Sequence, residues 1–100
     1  MKISKDNIDQ IKNLCKEYDV KRFSAFGSVT RDDFNDDSDI DFIVDFKETD
    51  PFKYTDLYFQ FKENLENLLQ RQIDLIEERG LRNQFFKKEL DKTKIQIYGQ

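Results

Sequence analysis

The hydrophobic positions of this chain change period several times, and each change marks an element. From Ser4 to Tyr18, apolar or sulfur-bearing residues recur at Ile8, Ile11, Leu14, Cys15 and Tyr18. Spacings of three and four predict an amphipathic helix, with Ser4 as its cap. Val20 to Phe26 reads as a first strand, with Phe23 and Ala25 on one face and Phe26 leading into Gly27. Ile40 to Phe46 then alternates. Successive side chains of an extended strand point to opposite faces, so Ile40, Phe42, Val44 and Phe46 share one face. Asp39, Asp41, Ile43 and Asp45 share the other, which makes one face core and the other acidic. Lys47 to Pro51 is a polar turn, and Pro51 suits a helix entry. Phe52 to Leu69 carries Tyr54, Leu57, Tyr58, Phe61, Leu65, Leu68 and Leu69 at helical spacing. That stripe reads first as core. It is wide for a small sheet to cover, so part of helix 52–69 is also a candidate partner or oligomer surface. Gln72 to Glu77 is a third strand, Leu81 to Leu90 a helix using Leu81, Phe85, Phe86 and Leu90, and Lys94 to Tyr98 a closing strand. Such interleaving predicts an α/β (α+β) fold: a small mixed β-sheet flanked by helices.

Composition narrows the chemistry. One hundred residues make a single domain, 1–100, with a modest core and no room for a separate substrate-binding domain. Ten Phe and four Tyr give an aromatic core, and 38% charged residues give a heavily charged surface, as in a soluble globular chain. No run approaches the roughly 20 apolar residues that span a bilayer. Met1 to Ser4 leads into a polar helix rather than a signal sequence, so a cytoplasmic protein without membrane contact is expected. The chain has no histidine, which removes Ser-His-Asp hydrolysis, Cys-His catalysis and His-ligated zinc. Cys15 is the only cysteine, so an intrachain disulfide and a thiolate cluster are also excluded. At an apolar helix position it reads as a buried structural thiol. A net charge of -4 argues against a nonspecific nucleic-acid binder, which presents a basic field to phosphates. Acid, base and metal work therefore falls to carboxylates.

Those carboxylates cluster in the stretch Gly27 to Phe46, GSVTRDDFNDDSDIDFIVDF. At about 3.3 Å rise per residue, Asp39 and Asp41 leave the backbone roughly 6.6 Å apart, close enough to lean onto one hard cation. Magnesium takes oxygen ligands and is usually held by one or two carboxylates plus substrate phosphates. Taken alone, Asp-x-Asp favours a half-buried strand with a simply solvated outer face. Gly27 and Ser28 add a second feature. A glycine at a strand end lets the backbone approach a ligand, and the amides opening the next turn attract anions. Arg31 reaches a phosphate oxygen if Val29 to Asp33 is helical. The bland alternative is an ordinary strand-to-helix turn with Ser28 as N-cap.

Gly27, Ser28, ten residues, Asp39, one residue and Asp41 together resemble the signature of the DNA polymerase beta-like nucleotidyltransferase superfamily, in particular its minimal, single-domain (MNT) members. Arg31, Ser38 and the Ile40, Phe42, Ile43, Val44 strand also stand where that family places an arginine, a serine and an apolar strand. The third carboxylate expected on a later strand is supplied by Asp74, between Ile73 and Leu75. Many minimal members have a glycine after the arginine; here Asp32 and Asp33 follow Arg31 and add negative charge. The resemblance covers nearly the whole chain and implies the polymerase beta-like palm fold and a catalytic set of Asp39, Asp41 and Asp74. Asp39 and Asp41 would hold two Mg2+ ions about 3.5–4 Å apart, and Asp74 would complete the second metal site and take the acceptor's proton. Gly27, Ser28, Arg31 and Ser38 would be nucleotide-binding, with ATP as substrate. Asp36, Asp37, Asp45, Glu77 and Glu78 fall to solvated surface. Stand-alone members of this size are similar to the antitoxin of systems whose other half is a HEPN-domain ribonuclease toxin. The reaction this implies is transfer of AMP from ATP to a tyrosine hydroxyl of that toxin. Two other readings stay open: a noncatalytic antitoxin that neutralises its partner by complex formation, and nucleotidyl transfer to a small molecule such as an aminoglycoside.

Overall fold

The computed structural model describes residues 1–99. Helix α1 (Lys5–Glu17) leads into strand β1 (Val20–Phe26), followed by a 3-10 turn (Gly27–Thr30) and strand β2 (Ile40–Phe46). Helix α2 (Pro51–Leu69) connects β2 to β3 (Ile73–Glu77), and a second 3-10 turn (Glu78–Gly80) precedes α3 (Gln84–Thr93) and β4 (Ile95–Gly99). The strands form one sheet in the order β3-β2-β1-β4, with β3 parallel to β2 and the other pairings antiparallel. This is the mixed, helix-flanked sheet that the interleaved pattern predicts.

Local chemistry sets the helix ends. The Ser4 hydroxyl oxygen accepts the Asn7 amide at 3.2 Å and so caps α1. Asp50 accepts the amides of Phe52 and Lys53, and Pro51 fills the first turn of α2 where its missing N–H costs nothing. Gln70 ends α2 in the left-handed region at φ 53°, its N–H returning to the Glu66 carbonyl.

The core lies between one sheet face and helices α1 and α2. Ile40, Phe42, Val44 and Phe46 are buried there with Phe23 and Ala25 of β1, and meet Ile11 and Cys15 of α1 and Phe61 and Leu65 of α2. Phe23 packs on Phe42 at 4.6 Å between ring centroids, while Phe61 stands edge-on to Phe23 and Phe46 at 5.3 and 5.7 Å. Edge-to-face rings of this kind match the negative face of one ring with the positive edge of the next. Burial pushes the Cys15 thiol up to about 12, so it packs as a small hydrophobe rather than reacting as a thiolate.

Several expectations are corrected. The helix expected over Leu81 to Leu90 starts three residues later, because Asn83 rather than Leu81 opens it: the Asn83 side chain accepts the Phe86 amide at 3.1 Å. Of its expected apolar stripe only Leu90 is buried, and Phe85 is 74% exposed. The 3-10 turn after β1 stops at Thr30, leaving Arg31 extended rather than helical. Ser28 lies inside that turn and caps nothing; Phe26 precedes the turn without a side-chain cap. Asp45 and Glu78 are not simply solvated. The Asp45 carboxylate sits 3.1 Å from Arg79 and 3.7 Å from Arg22, and Arg22 makes two hydrogen bonds to Glu78 at 3.1 and 3.2 Å. No helix among the described residues is long and apolar enough to cross a membrane.

Candidate active site

The sheet face away from the main core carries the carboxylates. Asp41 is the second residue of β2 and Asp74 the second of β3, and in the parallel ladder the two are register partners. Residues paired across a ladder point to the same face. Asp74 is therefore beside Asp41, as the sequence reading requires. Across the other edge of β2, Asp41 pairs with Phe26, which places the Gly27 turn directly against it. Asp39 precedes β2 and closes the loop 31–39 rather than belonging to the strand.

Gly27 is fitted to this position in two ways. Its φ of 73° lies in the left-handed region, and a Cβ there would run into the Asp41 carboxylate. The chain can approach Asp41 this closely only because the side chain is absent. Thr30 fastens the turn by donating its hydroxyl to the Gly27 carbonyl at 2.7 Å.

Electrostatics link the three acids. Partial burial, then the charges of Asp74 and Asp39, raise the pKa of Asp41, and Arg31 acts against them. Like charges that close together disfavour ionisation, and a hard cation would relieve the repulsion. Asp39, Asp41 and Asp74 offer oxygen donors suited to Mg2+. Among the described residues, however, no three carboxylates converge into a ready-made metal cage.

The remaining site residues surround this group. Ser28 is half-buried in the turn, and its carbonyl accepts the Arg31 amide at 2.9 Å. Arg31 does not point freely toward an anion: its Nε and Nη2 donate to the two oxygens of Asp33 at 3.1 and 3.3 Å, on the exposed surface. The Ser38 hydroxyl oxygen accepts the Asn35 amide at 3.2 Å, and Asn35 in turn accepts the Asp37 amide at 2.8 Å. Ser38 thus closes a tight turn just ahead of Asp39. Sequence reasoning missed Arg71, which holds this loop from β3's side. Its place three residues before Asp74 was the only available signal.

A model of the nucleotidyltransferase domain matches residues 8–98 of the sequence. The chain belongs to the nucleotidyltransferase domain family. A chain of Methanocaldococcus jannaschii, provisionally named a protein adenylyltransferase, is 32% identical over 94 residues, spanning 93% of this chain and 93% of that one. A solved structure provisionally described as a minimal nucleotidyltransferase superposes with a TM-score of 0.76 at 29% identity, covering 90% of this chain and 88% of that one. The fold is also similar to one in a complex of tri-AMPylated HEPN toxin from Shewanella oneidensis with an MNT antitoxin. There the TM-score is 0.67 at 18% identity, over 98% of this chain and 74% of the matched one. Membership of this family makes the chain a nucleotidyltransferase by class.

Proposed function

We propose that this nucleotidyltransferase moves AMP from ATP onto a tyrosine hydroxyl of a partner protein, and that the partner is a HEPN-domain toxin which it silences. The observation that carries the reading is the pairing of Asp41 with Asp74 on one sheet face, against a turn whose Gly27 sits at positive φ with the Asp41 carboxylate where a Cβ would stand. The Methanocaldococcus relative's name points to a protein acceptor, and the Shewanella complex joins an AMPylated HEPN toxin to an antitoxin of this fold.

In this reading Asp39, Asp41 and Asp74 would hold Mg2+, which when bound offsets the phosphate charge and polarises the reacting oxygens. The amides of Gly27 and Ser28 orient the β- and γ-phosphates, and the Ser38 hydroxyl faces the nucleotide from the loop. Arg31 reaches a phosphate oxygen by exchanging its Asp33 partner for the substrate. Asp74, exposed at the sheet edge, takes the proton of the acceptor hydroxyl as its oxygen bonds to the α-phosphorus. The bond from that phosphorus to the bridging oxygen breaks in line, and pyrophosphate leaves.

A second reading, neutralisation by complex formation alone, is favoured by Phe52 and Phe59, which stand 85% and 62% exposed on α2. One experiment separates the two. Asp39→Asn combined with Asp41→Asn should abolish transfer of label from α-labelled ATP to a co-expressed HEPN partner, and should abolish protection of cells. Labelling that survives in the double variant would remove the enzymatic reading. Protection without labelling would favour the complex.

A further inference from the structure

The segment that delivers Asp39 has little regular structure of its own. Between Thr30 and Ile40 it forms no helix or strand, yet its last residue is Asp39, whose charge acts on Asp41 and whose carboxylate the proposed function needs there. One side chain from outside the loop holds it. Arg71, at the junction between α2 and β3, donates its Nη2 to two loop carbonyls, that of Asn35 and that of Ser38, the latter at 2.8 Å. Its guanidinium carbon also lies 4.3 Å from the centroid of the Phe34 ring, which itself packs against the main core. Three successive parts of the loop are thereby fixed to the root of the strand that carries Asp74. The Ser38 carbonyl belongs to the peptide group that joins Ser38 to Asp39. Immediately beyond, the Ile40 amide donates to the Gln72 carbonyl at 3.3 Å. The peptide groups on both sides of Asp39 are thus referenced to residues 71 and 72.

We propose that Arg71 is the positioning residue of this site: it fixes Asp39 against Asp41 and Asp74 by clamping the Asn35 and Ser38 carbonyls and stacking on Phe34. It acts through Asp39 and does not touch the nucleotide. The inference rests on the functional reading above for its catalytic meaning. The chemistry needs an arginine, because a planar fork can satisfy carbonyl oxygens and lie on a ring at the same time. A lysine ammonium keeps the charge but offers neither the plane nor the stacking face.

The test compares wild type, Arg71→Met, Arg71→Lys and Phe34→Leu, each checked for an unchanged circular dichroism spectrum. Transfer of label from α-labelled ATP to the partner is measured at varied ATP, and amide exchange is followed along residues 31–40. Misplacement of a reacting group by about 1 Å costs on the order of 100-fold, so Arg71→Met is expected to lower kcat by about 10- to 100-fold. KM for ATP should change less than about threefold, since no nucleotide contact is lost. Arg71→Lys should recover only a small part of kcat, and amide exchange should quicken in residues 35–40 while β1 stays protected. A raised KM with intact kcat would overturn the assignment by making Arg71 a nucleotide ligand. Exchange that quickens across the whole sheet would overturn it by making the role one of stability. An active wild type whose Arg71→Met variant is equally active would also overturn it, leaving the functional reading in place. A wild type that transfers nothing would strike the functional reading instead; unchanged exchange at 35–40 in Arg71→Met would then sink the clamp as well, and local quickening would sustain it.

Discussion

At the scale of single residues, Gly27 and Asp41 constrain each other. Gly27→Ala forces an L-residue into left-handed backbone, which costs about 1–2 kcal/mol, and drives a methyl group into the Asp41 carboxylate. Thermal melting should fall accordingly. Transfer, assayed well below both melting temperatures, should fall by at least about 10-fold, because in the proposed function the displaced Asp41 carboxylate is a reacting group. Equal transfer by the two proteins would show that Gly27 serves the turn alone. Asp41 gives a prediction of opposite sign for stability. Its carboxyl binds a proton more tightly in the fold than in the unfolded chain, chiefly through burial and then through Asp74 and Asp39. The ionised form is therefore the costly one: stability is lost as pH rises from the ordinary aspartate value through the raised one, and the full penalty stands above it. Asp41→Asn removes that penalty. Melting curves between about pH 3 and about pH 8 should show the variant gaining on the wild type as pH rises and converging with it in acid, below the ordinary aspartate pKa. A gain in stability coupled to loss of transfer is what a site assembled against electrostatic repulsion should produce.

At the scale of elements, alternation along 40–46 made the outward face of Asp41 legible, whereas Asp74 is singled out only by the family resemblance, which expects a third carboxylate on a later strand; the parallel register of β2 and β3 pairs the two. Asp45, and Glu78 just past the third strand, read as solvated surface with nothing beyond alternation to go on. It specifies a face but not what else arrives there, and the arginines that meet them come from other elements, Arg22 from β1 and Arg79 from the turn after β3. Position 84 as the start of α3 was hidden for a related reason: Leu81 continues the apolar spacing, but the Asn83 cap decides the first turn. Arg71 was missed because its hydrogen-bond partners are backbone carbonyls, so that its place three residues before Asp74 was the one weak signal it left. Arg79 tests how far such long-range polar contacts hold the elements together. It donates to Asp45, to the Phe46 carbonyl at 2.9 Å and to the Glu48 carbonyl at 3.1 Å, and lies 3.9 Å from the Tyr54 ring centroid. Arg79→Ala leaves Asp45 with the more distant Arg22 and uncovers two carbonyls, so unfolding by urea should report a loss of about 1–3 kcal/mol. Arg79→Lys should restore less than half, since an ammonium cannot serve both carbonyls and the ring. A loss within error of zero would reduce the network to solvent-screened surface pairs.

At the scale of the whole molecule, burial is distributed unevenly between the two faces of the sheet. One face is sealed by α1 and α2 with interlocking aromatic rings, and edge strand β3 is fastened to α2 by the Tyr58 hydroxyl, which donates to the Leu75 carbonyl at 2.6 Å. Helix α3 has only Leu90 buried, and Leu90 lies outside the main core cluster. Free energies of local opening follow such differences, because a segment that buries few side chains loses little when it detaches. Native-state hydrogen exchange should therefore find the amides of residues 88–93 opening at least about 10-fold more often than those of β1, a gap of about 1.4 kcal/mol or more. Central β1 is paired on both sides and can open only with the sheet. The carboxylate pair spans β2 and the clamped β3, so it should stay with the slow class while α3 moves independently. Equal protection of α3 and β1 would mean that Phe85, Phe86 and their neighbours are held by contacts worth as much as the core, and that the chain opens only as one unit. The unequal pattern instead leaves a rigid carboxylate face beside a helix free to move on its own.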